Sequence, residues 1–154
     1  MSIPSSEYFV IKPKSGNLPA GLPAEAAGST GLYIFRSPAP DVSAREQWDQ
    51  LIRQYGDQID FASPVILDGQ GQQLLPTGKI VVQFHEPPSR ETLHLFEDSH
   101  GLRYLKTNEF KREQLSFEAR DNKTIYQPDL IAKLKDDPNV RLAVPETMAR
   151  FQRV

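Results

Sequence analysis

The chain contains no cysteine. That excludes disulfides, thiolate nucleophiles and cysteine-ligated zinc together. A domain of this length does not need disulfides, so their absence leaves the compartment open. Neither charge sign is in excess: 18 Lys and Arg stand against 20 Asp and Glu, for a formal net charge of -2. No basic face therefore recommends nucleic acid. The aromatic signature by which RNA-recognition sheets stack bases is missing as well. No apolar run approaches the length of a membrane helix. The opening residues, MSIPSSEYFVIKPKSG, lack the basic start and long apolar run of a secretory signal. As written, the protein is expected in the cytoplasm, or secreted or periplasmic where an export signal has been left off.

Histidine is also scarce. His85, His94 and His100 do not form a metal pattern: His85-Glu86 has no second histidine four residues on, and Pro87-Pro88 bars a helix there. Ser89, His94 and Asp98 would share one short helix, where they cannot aim at a common substrate as nucleophile, base and orienter. His94 and Asp98, one helical turn apart, are expected to meet each other. Asp-Gly-Gln-Gly at 68–71 lacks the spacing of a phosphate loop and reads as a turn. Asp68 alone is no calcium site, which needs several oxygen ligands. No catalytic residue, metal ligand or cofactor is assigned, and a non-enzymatic protein is expected.

What is present is a chain of short, sharply bounded elements. The 154 residues suit one domain or two very small ones, and 13 prolines punctuate them. Glu7 to Lys12 reads as a strand, 13–30 as a long Pro/Gly/Ala/Ser loop, and Leu32 to Arg36 as a second strand. Ser43 and Glu46 form a capping-box pattern before a helix carrying Trp48, Leu51, Ile52 and Tyr55, with Gly56 as its stop. Trp48 is expected in the core. Ile59, Phe61 and residues 64–67 make a third strand.

The second half opens with a strand from Lys79 to Phe84. A helix capped by Ser89 and closed by Gly101 follows, with Leu93, Leu95 and Phe96 inside it. Strands at 102–106 and 114–119 come next. Pro128 opens a helix with Leu130, Ile131 and Leu134 on one face, and Val140, Leu142 and Val144 alternate in a last strand. The order βαββαβ predicts a ferredoxin-like α+β unit, an antiparallel sheet with helices on one face. The first half reads as a degenerate copy, its first helix and one strand replaced by the loop. The copies share a phrase: Ile59-Asp60-Phe61-Ala62-Ser63-Pro64 and Val140-Arg141-Leu142-Ala143-Val144-Pro145, 81 residues apart. The expected division is 1–75 for the degenerate subdomain and 76–154 for the complete one.

Residues 57–84 and the closing run LKDDPNVRLAVPE resemble the propeptide region of bacterial subtilisin-like serine proteases. The phrase Pro76-Thr77-Gly78-x-Ile80-x-Val82-x-Phe84 is similar to the opening of that unit, and Val140-x-x-Ala143-x-Pro145 to its end. The likeness spans roughly residues 31–146. It implies a ferredoxin-like domain whose sheet face docks on the protease and whose C-terminal tail runs through the substrate cleft, serving as folding chaperone and inhibitor. The protease's own Asp, His and Ser motifs do not follow, and the first half exceeds a minimal propeptide. An isolated pro-region and a stand-alone inhibitor or assembly factor both remain open.

Two protein-binding sites are expected. The tail, residues 146–154, would extend about 30 Å. An extended segment pairs its backbone with an edge strand and fills pockets with alternate side chains. Its binding residues are taken as Arg150, Phe151, Gln152, Arg153 and Val154, and the resemblance implies Phe151 and Val154 as apolar anchors; the competing reading is a frayed terminus. Glu109 and Glu113 lie in a charged link between the two middle strands. They would meet the N-terminus of an enzyme helix, where the dipole favours anions, or form an ordinary solvated loop. The alternative function is a generic interaction or assembly module that inhibits no protease.

Overall fold

A computed structural model describes residues 3–15, 17–27, 30–121 and 125–149. The strands are β1 (Ile3–Pro13), β2 (Ala24–Ala26), β3 (Tyr33–Arg36), β4 (Ile59–Leu67), β5 (Gln73–Phe84), β6 (Leu102–Thr107), β7 (Gln114–Ala119) and β8 (Val140–Ala149). The helices are α1 (Ala44–Tyr55), α2 (Arg90–His100) and α3 (Gln127–Lys135). The fold is α+β, with eight strands in one sheet of order β2-β3-β1-β4-β5-β7-β6 and β8 paired to β5. Two compact units make up the chain: Met1–Thr77 with Thr147–Val154, and Gly78–Glu146.

In the first unit β1 lies between β3 and β4, antiparallel to both. Its aromatic and β-branched run Phe9-Val10-Ile11 is fully buried, which is why this strand takes the centre. The ladder with β4 breaks between Pro4 and Phe9. Ser5 fills the break: its Oγ accepts from the Glu7 and Tyr8 amides at 3.1 and 3.2 Å. The freed donors are thus satisfied, as buried backbone requires. The stretch expected as an unbroken loop contains β2, which pairs with β3 at Ala24↔Phe35 and Ala26↔Tyr33. Ala24, Glu25 and Ala26, in a Pro/Gly-rich run, carry no strand periodicity, and the pairing that makes them a strand is the one with β3.

Helix α1 begins where the capping box places it, with Ser43 Oγ accepting from the Glu46 amide at 3.2 Å. It stops at Gly56 as expected, through a right-handed cap at φ -52 that leads into a 3-10 turn, Gly56–Gln58. Trp48 is buried and its indole N–H donates to the Ala62 carbonyl at 2.9 Å, tying α1 to β4. On the sheet, Val10, Ile34, Val65, Leu32 and Leu75 form a separate buried cluster, against which Met148 packs.

In the second unit the strand pairs are β8–β5, β5–β7 and β7–β6. Ser89 caps α2 through the Thr92 amide at 3.2 Å, and Gly101 closes it at φ +62. Both helices feed one core: Phe96 of α2 and Leu130, Ile131 and Leu134 of α3 meet Ile80, Val82, Phe84, Leu115 and Phe117 of the strands. Phe96 sits 4.9 Å from Phe84 and 5.3 Å from Phe117 between ring centroids. Each such ring contributes about 1.5–3 kcal/mol on burial.

Candidate functional site

The link between β6 and β7 is a built turn. The Asn108 side chain accepts from the Phe110 amide at 2.9 Å, an arrangement asparagine favours because it mimics a backbone turn. The Lys111 amide donates to the Asn108 carbonyl at 3.3 Å, and the Gln114 amide to the Lys111 carbonyl at 2.9 Å. The Asn108 amide closes the hairpin on the Gln114 carbonyl at 2.9 Å. The Glu113 carbonyl accepts from the Phe84 amide at 2.8 Å, carrying the β5–β7 ladder into the loop.

Upon this frame Phe110 is 98% exposed. Glu109, Lys111 and Arg112 are exposed beside it, and Glu113 is half-buried. The two carboxylates named from the sequence thus share one loop, four residues apart, and flank an aromatic side chain the sequence reasoning passed over. The signal was there: Phe110 stands alone in the polar run Asn108-Glu109-Phe110-Lys111-Arg112-Glu113, with no apolar neighbour at strand or helix spacing.

At the other end, Glu146 to Ala149 belong to β8 and are not part of a free tail. Met148 is half-buried against the cluster around Val10 and Val65. Arg150, Phe151, Gln152, Arg153 and Val154 lie outside the described residues. Beyond Pro145 the sequence loses its apolar alternation, so the strand's continuation was not legible.

Several other chemistry-bearing side chains are engaged structurally, while His85 is exposed. His94 faces Glu97 at 3.5 Å, while Asp98 takes Arg120 at 2.8 Å, so the expected His94–Asp98 contact does not form. The i, i+3 position and the cross-element guanidinium each offer the better partner. Ser89 is committed to its helix cap. His100 is half-buried, with Nε2 2.9 Å from Asp137 Oδ2 and its ring 4.7 Å from Phe96, joining the end of α2 to the turn before β8. Among the described residues no three His, Asp or Glu side chains gather as a metal would require. Asp68 Oδ1 accepts from the Gln70 and Gln72 amides at 2.8 Å each, which makes 68–71 the turn its composition announced.

No family model, curated protein or solved structure matches this chain.

Proposed function

We propose that the chain is a non-catalytic protein-binding domain of the subtilase-propeptide kind, acting as inhibitor or folding chaperone of a subtilisin-like protease. The observation that carries this reading is the strand order. The second unit runs β8-β5-β7-β6, which is fourth, first, third, second in its own numbering, with one helix after the first strand and one after the third. That order supports a ferredoxin-like βαββαβ reading of this unit. The first unit runs β4-β1-β3-β2, the same sequence of positions. There β2 takes the edge place, and no helix is assigned among the described residues between β1 and β2.

Further support for duplication comes from the shared phrase. Ile59 opens β4 and Val140 opens β8, and the alanines three residues on, Ala62 and Ala143, are both fully buried. Such a fold leaves function to the surface elements placed on it. Here the loop around Glu109 and Glu113 and the C-terminal end of β8 are those elements.

The alternative, an assembly module that inhibits no protease, draws on one observation: Met148 is packed in the first unit, so β8 is held up to the threshold of the tail. The deciding experiment assays a panel of subtilisin-like proteases against the full chain and a version ending at Ala149. Inhibition by the full chain, lost or turned into cleavage in the shorter one, is the expected result. A well-folded protein that inhibits none of the panel moves the assignment to the assembly module.

A further inference from the structure

We infer that the turn between β4 and β5 is a shielded modification site: isoaspartate forms at Asp68-Gly69 when the turn opens, and the closed turn holds the reaction off. This chemistry needs no partner and stands apart from the protein-binding reading above.

The sequence supplies the reactive pair. Asp68-Gly69 is the single Asp-Gly step in the chain, and there is no Asn-Gly step. A glycine after the aspartate has no Cβ, so nothing on its own residue screens its nitrogen from the neighbouring carboxyl. The Gly69 nitrogen gives up its proton and attacks Asp68 Cγ. A C–N bond forms, a C–O bond breaks, and one water leaves. Water then adds to the five-membered imide at either carbonyl and breaks one C–N bond. Opening at Cγ restores aspartate. Opening at the main-chain carbonyl leaves the chain running through Cγ, with a free α-carboxylate. The second water replaces the first, so the product keeps the mass of the parent.

The structure supplies the shield. Asp68 is half-buried and Gly69 exposed, so water reaches the step. Ring closure must swing Asp68 Cγ onto the Gly69 nitrogen, and four hydrogen bonds oppose that movement. Asp68 Oδ1 accepts from the Gln70 and Gln72 amides at 2.8 Å each. The Asp68 amide donates to the Gln72 carbonyl at 3.0 Å, and its carbonyl accepts from the Gly71 amide at 3.1 Å. Side chain and backbone of Asp68 are thus fixed together, as an aspartate that opens a turn can be. Gly71 holds the far side at φ +78, with no atom within 4 Å of where a Cβ would stand. An alanine there strains the turn without a clash.

The test incubates the full chain at neutral pH, folded in buffer and unfolded in urea. Isoaspartate is read as a peptide of unchanged mass that an aspartate-specific protease no longer cuts at 68. The folded chain is expected to react at least about tenfold more slowly than the unfolded one, since opening gives up several hydrogen bonds. Gly71→Ala is expected to speed the folded reaction about fivefold to thirtyfold, because the left-handed conformation penalises its Cβ. Gly101→Ala is the control: it carries a like penalty at φ +62, also in open space, at the end of α2. It is expected to leave the rate at Asp68 unchanged. Equal rates in the folded and unfolded chain overturn the inference, as does no isoaspartate in either. A Gly71→Ala rate equal to the parent's shows that the turn is not the gate. Equal acceleration by Gly101→Ala assigns the reaction to global unfolding and overturns the shield as well.

Discussion

The indole N–H of Trp48 donates to the Ala62 carbonyl inside the first unit, where water cannot replace it. Trp48→Phe keeps an aromatic ring but strands that buried acceptor, so a loss of about 1–3 kcal/mol is expected from urea unfolding. Two glycines that look alike in sequence, each just after a helix, differ in backbone. Gly101 sits at φ +62 with open space around its missing Cβ. Gly101→Ala should therefore cost about 1–2 kcal/mol from conformation alone, with no steric clash to relieve. Gly56 sits at φ -52, and an added Cβ would meet only Ile52 Cγ2 at 3.5 Å, an ordinary contact. Gly56→Ala is expected to stabilise by about 0.4–1 kcal/mol, through the lower entropy of the unfolded chain. The same denaturation series reads both, and equal signs would contradict the geometry.

At the scale of elements, the helices were legible because their signals are local. Ser43 and Ser89 bond amides three residues on, so cap and helix start are read within one turn of chain. Strand β8 was legible as a strand, but not its buried face: Val140 and Ala143 are buried while Leu142 and Val144 of the expected alternation are exposed. Strand β2 was not legible, since an edge strand of three residues pairs only with β3. The buried alanines near the starts of β4 and β8 give the duplication a physical test. If Ala62 and Ala143 occupy equivalent places, Ala62→Val and Ala143→Val should each overpack a tight site and cost about 1–3 kcal/mol. A tolerated valine at one and not the other would argue that the shared phrase is coincidence of pattern. The β6–β7 turn belongs to this scale as well: Asn108 marked it in the sequence, while the exposure of Phe110 depended on how the hairpin closes.

At the scale of the whole molecule, the prediction is protease inhibition that depends on residues after Ala149, read as inhibition constants against the panel. With a formal net charge of -2, the molecule offers a partner little long-range attraction. The sequence by itself determined the α+β class, the second unit's order of elements, the helix caps and most of the core. These follow from periodicity and short-range bonding, which act between residues close in the chain. Only the tertiary structure decided that β2 takes the edge beside β3, that β8 carries on to Ala149, that Met148 closes a cluster far from it in sequence, and that His94 turns to Glu97 while Asp98 turns to Arg120. It alone left Phe110 uncovered. Each of these is a choice between partners distant in sequence, settled by which surface reaches which, and one-dimensional pattern holds no record of that.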